Sequence, residues 1–153
     1  MIRDYPDRPF VGVGIVVFRE DDVLLVQRGK EPRRFTWSIP GGAQHVGETV
    51  AAAAARELLE ETGLEADIIG LVDVVDGINA DPDGRIRFHY TLVDFAAEWR
   101  GGTAVAGDDV AVVRWVPVAA IDRYELWAET ARIIRRAHAL RHSPAFRRAQ
   151  AGR

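Results

Sequence analysis

The chain has 153 residues, 48% hydrophobic and 28% charged, which predicts one globular domain, residues 1–153, with a real core. A net charge of −3 offers no general basic surface for a phosphate backbone, so no nucleic-acid partner is expected. The absence of cysteine excludes disulfides, thiolate metal sites and cysteine nucleophiles and accords with a reducing cytosol. The opening MIRDYPDRPF lacks the apolar core of a signal peptide, and no run reaches membrane-spanning length. A soluble, cytoplasmic protein with no membrane partner is the expectation.

Residues 1–9 read as an irregular lead-in, with Pro6 and Pro9 blocking regular structure. Phe10 to Phe18 is apolar and β-rich, a strand buried on both faces, in which Gly12 and Gly14 leave room for close approach. Glu20 to Asp22 is a turn, and Val23 to Val26 completes a hairpin. The polar, basic loop QRGKEPRRF follows. Phe35 to Ile39 is a short strand that Pro40-Gly41-Gly42 ends. Thr49 is the N-cap of a helix built on the alanine run 51–55, and Gly63 is its left-handed C-cap. Ala66 to Val75 is a strand, and Asn79 to Gly84 is a turn. From Arg85 to Phe95 the chain alternates, with Ile86, Phe88, Tyr90 and Leu92 opposite Arg87, His89 and Thr91. Arg100 to Asp109 is a glycine-rich loop ending in two aspartates. Val110 to Val118 is a last strand, with Trp115 in the core. Leu126 to Leu140 is a helix with Ile133, Ile134, Ala137 and Leu140 on one stripe, and the basic tail 141–153 is frayed. The pattern predicts an α/β fold with a mixed sheet between helices.

The unusual stretch is the helix end. With about 100° per residue, Glu61 lies about 40° to one side of Glu57 and Glu60 about 60° to the other. Leu58, Ala51, Thr62, Ala55 and Leu59 fall on the opposite half and are expected to pack into the core. Two readings stand for the carboxylates: a solvated acidic face, or a cation site. Against the first, the acids sit in the C-terminal half, where the helix dipole disfavours anions, and like charges three and four apart repel. No lysine is interleaved, and Arg56 offsets only part of the charge. Oxygen donors without His or Cys suit Mg²⁺, or Mn²⁺, rather than zinc.

Residues 42–64 also resemble the Nudix box, Gly-x5-Glu-x7-Arg-Glu-U-x-Glu-Glu-x-Gly-U with U bulky aliphatic. Gly42, Glu48, Arg56, Glu57, Leu58, Glu60, Glu61, Gly63 and Leu64 fill every defined position. Trp37-Ser38-Ile39-Pro40-Gly41-Gly42 before the box resembles the family's usual Trp-x-x-Pro-Gly-Gly, and RWVPV ahead of a short helix and a terminal helix is similar as well. The resemblance implies a Nudix α/β/α sandwich and Mg²⁺-dependent attack of water on a phosphorus of a nucleoside diphosphate linked to another group. It implies that Glu57, Glu60 and Glu61 are metal ligands, helped by the Gly41 carbonyl. Arg56 would orient a box glutamate, and Glu48 would be a supporting ligand or loop anchor. His45 departs from the glutamate that many members carry there. Many relatives pair as homodimers, and no segment of this chain marks such an interface.

The resemblance implies a general base that is either a box glutamate or a carboxylate on a later loop, where Asp108-Asp109 is the best candidate and Asp109 the first choice. Arg28, Lys30, Arg33 and Arg34 precede the box, and arginine forks suit a pyrophosphate, which selects Arg28 and Arg34 as substrate-binding candidates. His89 shares a strand face with Arg87 and is a third. Phe35 is a candidate for stacking on a base, whereas Trp37 fits the core better. Arg135, Arg136, Arg141, Arg147 and Arg148 read as a solvated helix face and tail. The approach VQRGKEPRRFTWSIPGG, the strand HYTLVDF and the AGDD loop resemble the compact bacterial ADP-ribose pyrophosphatase-like group, which implies cleavage of ADP-ribose to AMP and ribose 5-phosphate. The alternatives are a (deoxy)nucleoside triphosphate pyrophosphatase and a non-catalytic nucleotide-binding sensor.

Overall fold

The structure, a computed structural model, describes residues 3–146. Its elements in chain order are β1 (Phe10–Arg19), β2 (Asp22–Arg28), β3 (Trp37–Ser38), β4 (Gly41–Ala43), α1 (Val50–Thr62), β5 (Leu64–Ala80), β6 (Ile86–Gly102), β7 (Val110–Pro117), a 3₁₀ helix (Val118–Tyr124) and α2 (Ala128–Leu140). Among the described residues, seven strands form one mixed sheet in the order β3-β2-β1-β6-β5, with β4 on β1 and β7 on β2.

β1 organises it. One edge runs parallel to β6 from Phe10↔Tyr90 to Phe18↔Glu98. The other edge is shared. Only Phe18 and Arg19 pair with β2, at Val23 and Asp22, while Gly12, Val13 and Gly14 pair with β4. The sheet therefore forks where β1 and β2 part. The expected stop at Pro40-Gly41-Gly42 is instead β4, a strand in its own right. The reason is the edge of β1 left open by the fork, together with glycines that let the backbones close up. A Cβ on Gly41 would run into the Val13 carbonyl.

Both faces of β1 are buried, as its unbroken apolar run predicts. Val16 and Phe18 join Val23, Leu25, Val72, Ile133, Ile134 and Ala137 under α2. Val13, Ile15 and Val17 join Leu24, Ala53, Ala54, Leu58, Leu64 and Phe95 under α1. Burying a side chain of this size contributes roughly 1.5–3 kcal/mol, so the two layers supply most of the stabilisation. Trp115 packs only partly buried against the α1 layer, with the Arg19 guanidinium 4.4 Å over its ring.

Several boundaries move. β5 runs to Ala80 and β6 to Gly102, so the hairpin is longer than its apolar centres show and its turn narrows to the residues after Ala80. Their cross-strand ladder, from Leu64↔Gly102 to Ala80↔Ile86, continues after the core ends. Arg141 is not part of a frayed tail. It is 5% exposed, its Nε and Nη2 fork both Glu98 oxygens at 2.8 and 2.6 Å, and it stacks on Phe18. Arg135 pairs with Asp122, and Arg136 donates to the Val72 carbonyl. Arg147 and Arg148 lie outside the described residues. No helix among the described residues is long and apolar enough to cross a membrane.

Candidate active site

α1 begins and ends where the sequence places its caps. The Thr49 hydroxyl accepts the Ala52 amide at 3.0 Å, and Gly63 takes φ 71° while its amide reaches the Leu59 carbonyl. Its buried residues are Ala53, Ala54, Leu58 and Thr62. On the wheel set at Glu57 these span an arc from about −40° to about 140°, which contains Glu57 and Glu61 themselves. The expected division into an apolar half and an acidic half is thus corrected. Ala55 is exposed and Leu59 is 51% exposed, whereas the two glutamates lie inside the buried arc and Glu60 stands at its open edge.

The glycine pair makes that burial feasible. A Cβ on Gly42 would overlap the Glu57 carboxylate. The Gly41 amide donates to Glu61 Oε1 at 2.8 Å, so the hydrogen-bonding group that Gly41 turns to the helix is its N–H.

Arg56 is the hub. Its Nε and Nη2 fork Glu48 at 2.9 and 2.6 Å, and Nη2 also donates to the Ala43 carbonyl at 3.0 Å. Nη1 donates to Glu57 Oε1 at 2.9 Å and Glu60 Oε2 at 3.2 Å. One planar cation therefore ties the loop before the helix, β4 and two box glutamates together. The Glu48 carboxylate also accepts the His45 amide at 2.9 Å, and the Gln44 side chain donates to the Glu48 carbonyl. His45 itself is exposed on this loop.

The protonation preferences diverge accordingly. The Arg56 fork and then the His45 amide hold Glu48 down at about 2. Burial pushes Glu57 up, against the pull of Arg56. Burial pushes Glu61 up to about 7; the charges of Glu57, Asp108 and Asp109 add to this and the Gly41 amide opposes it.

The far wall is loop 103–109, docked on the end of α1. The amides of Val105 and Gly107 donate to the carbonyls of Thr62 and Glu61 at 2.9 and 3.0 Å, satisfying groups that a helix end leaves open. Gly107 fits there because a Cβ would meet the Glu60 carbonyl. The dock carries Asp108 and Asp109 to the cleft. Asp109 pairs with Lys30 at 2.6 Å, which holds its carboxyl below the usual range, and its carbonyl accepts the Gly29 amide.

The result is an open cleft of about 520 Å³ at the fork of the sheet. Glu57, Glu60 and Glu61 line it from α1 and Gly41, Gly42 and Ala43 from β4. Arg28, Lys30, Asp108 and Asp109 line it from the rim, together with His45 and Arg3. Arg28 also serves the loop, its Nε donating to the carbonyls of Lys30 and Pro32. Arg34 and His89 are not brought to this cleft. Arg34 lies 5.0 Å from its neighbour Phe35's ring, and His89 is half-buried on β6 opposite Ile78. Phe35 and Trp37 line a separate hollow of about 260 Å³ with Tyr124. The residue that sequence reasoning missed is Arg3, which belongs to the irregular lead-in and has no motif around it.

Among the described residues, no three His, Asp or Glu side chains stand close enough to hold a metal as positioned. The donor chemistry nevertheless fits a hard divalent cation. Glu57, Glu60 and Glu61 each give one oxygen to Arg56 or Gly41 and keep the other free of hydrogen bonds among the described residues. Glu61, pushed up first by burial and then by the charges of Glu57, Asp108 and Asp109, accepts no hydrogen bond from Arg56 among the described residues.

Comparison with known proteins bears on this geometry. The family model described as the NUDIX domain matches residues 8–137. An ADP-ribose pyrophosphatase of Methanocaldococcus jannaschii is 35% identical over 101 residues, 66% of this chain and 57% of that protein. A Bacillus subtilis protein provisionally described as an 8-oxo-dGTP diphosphatase is 34% identical over 107 residues, 69% of this chain and 64% of that one. The match thus spans less than two thirds of either relative's length. The crystal structure of a MutT NUDIX hydrolase from Burkholderia pseudomallei superimposes with a TM-score of 0.71 at 26% identity, covering 85% of this chain and 98% of that one.

Proposed function

Because this chain belongs to the Nudix family, we propose that it hydrolyses a pyrophosphate bond in a nucleoside diphosphate linked to a second moiety, with ADP-ribose as substrate and AMP and ribose 5-phosphate as products. The observation that carries the reading is the Arg56 hub, which ties Glu57 and Glu60 to Glu48 and leaves each of the first two one free carboxylate oxygen at the cleft they line. Similarity to the M. jannaschii protein supports the choice of ADP-ribose.

In the proposed reaction a water oxygen bonds to one phosphorus and the bridging P–O bond breaks. The leaving phosphate takes the electron pair, and the water proton passes to a carboxylate. Glu57, Glu60 and Glu61 would hold the divalent cation, for which oxygen donors favour Mg²⁺. When bound, it neutralises the pyrophosphate and acidifies water. The chain's own work is positioning and charge. Arg56 keeps Glu57 and Glu60 in place, the Gly41 amide keeps Glu61 in place, and Arg28 and Lys30 put positive charge on the rim. Of the proton acceptors that line the cleft, Glu61 and Asp109 are the two we assign to this step. Asp109 is held ionised by Lys30, a weaker base for that reason, so its part is the smaller one.

A second reading, hydrolysis of a nucleoside triphosphate to its monophosphate and pyrophosphate, is favoured by the similarity to the B. subtilis protein. A panel of ADP-ribose, other nucleoside diphosphate conjugates and (deoxy)nucleoside triphosphates, incubated with Mg²⁺, separates them. AMP and ribose 5-phosphate from ADP-ribose is the expected result. Pyrophosphate released from a triphosphate, with ADP-ribose untouched, selects the second reading.

A further inference from the structure

Residues 3–9 form no regular element, yet Tyr5 is held at several points. Its amide donates to the Arg87 carbonyl at 2.8 Å, and its hydroxyl donates to Asp81 Oδ2 at 2.8 Å. The Arg85 guanidinium lies 4.2 Å over its ring. The anchor is itself rigid, because Asp81 Oδ1 accepts the amides of Asp83 and Arg85 in the turn that joins β5 to β6. Tyr5 takes φ 51°, a left-handed conformation that a bulky residue adopts only where contacts hold it. Two residues upstream, Arg3 lines the cleft.

The lysine and the other arginine that line the cleft each have a protein partner. Lys30 pairs with Asp109, and the Arg28 Nε is turned to two loop carbonyls. Arg3 makes no hydrogen bond or ion pair with any described residue, so its whole planar fork is open to an anion. A guanidinium fork matches a phosphate bidentately.

We propose that residues 3–9 are a strap, fastened by Tyr5 to the tip of the β5–β6 hairpin, that holds Arg3 in the cleft as a binding group for the phosphates of the substrate. Arg3 touches the substrate; Tyr5 is a positioning residue. The proposal rests on the pyrophosphate reading of the cleft.

Steady-state kinetics with ADP-ribose and Mg²⁺ on the full chain tests it, with Arg3→Ala, Arg3→Lys, Tyr5→Ala and the Arg3→Ala/Tyr5→Ala double variant. Arg3→Ala and Tyr5→Ala each raise KM by about tenfold or more and leave kcat within about twofold. Arg3→Lys recovers part of the loss, and the double variant is no worse than either single one. An unchanged KM in Arg3→Ala overturns the role of Arg3, and additive losses in the double variant overturn the strap. If the parent turns over no nucleotide, calorimetric titration with inorganic pyrophosphate replaces the rate. Weaker binding by Arg3→Ala supports the proposal, whereas equal binding, or none by the parent, refutes it.

Discussion

Glu61 carries the sharpest conflict in the molecule. It lies in the buried arc of α1, beside Glu57 and facing Asp108 and Asp109, and its carboxyl is pushed from an ordinary 4.5 up to about 7. The folded state therefore binds this proton more tightly than the unfolded chain. The resulting stability is full below about pH 4.5 and is lost as pH rises through about 7. The loss is roughly 2–4 kcal/mol at about 1.4 kcal/mol per unit. Glu61→Gln removes the charge while keeping the shape. Urea denaturation of the metal-free protein is expected to find the variant more stable than the parent above pH 7, with the gap closing toward pH 4.5. A gap that is independent of pH would contradict the assignment. Arg56 shows the opposite balance, since Glu48 and then Glu57 hold it firmly charged. The residue that weakens the fold is one to which the proposed reaction assigns a role, the pattern expected where function rather than stability selects a group.

At the scale of elements, the site is made by two segments that grip the ends of α1. The loop at 44–48 grips its start through Glu48 and Arg56, and loop 103–109 caps its end through the amides of Val105 and Gly107. Gly107→Ala puts a methyl group against the Glu60 carbonyl, which is backbone and cannot yield cheaply. The loop must lift, at a cost of about 1–3 kcal/mol. Thermal or urea unfolding is expected to show that loss, together with reduced turnover, because Asp109 and its pairing with Lys30 move with the loop. A variant as stable as the parent would mean that the cap contributes nothing. This grip was only half legible in the sequence. The caps of α1 follow from Thr49 and Gly63, whose local chemistry is self-contained. The dock of loop 103–109 depends on a residue over forty positions from the helix, and nothing near Gly107 announces it. β4 escaped for a related reason, since its pairing is decided by the forked edge of β1 and not by its own three residues.

At the scale of the whole molecule, the fold was legible wherever apolar residues set it. The buried run of β1 and the stripe Ile133, Ile134 and Ala137 of α2 lie in the core as their patterns indicate. Polar long-range contacts were not legible. Arg141 reads as a tail residue and is in fact clamped by Glu98 and stacked on Phe18, closing α2 onto β1 and β6. Arg34 and His89 carried the right chemistry for a phosphate, but neither lines the cleft, Arg34 lying in the turn before β3 and His89 on β6. Arg3 had no motif and lines it. The carboxylates and Arg56 were legible because one helix fixes their spacing; Arg28, Gly41 and Asp109 were legible as wall candidates by their chemistry, whereas Arg3 and the docking of loop 103–109 were not, because distant segments supply them. The claim that joins these scales is that the acidic end of α1 is where pyrophosphate is cleaved. It is tested most directly by the rate of AMP release from ADP-ribose with Mg²⁺ in Glu60→Gln and Glu61→Gln, each first shown to be folded. Both are expected to lose turnover on the order of 10²–10³-fold. Near-parental rates in both would contradict the account.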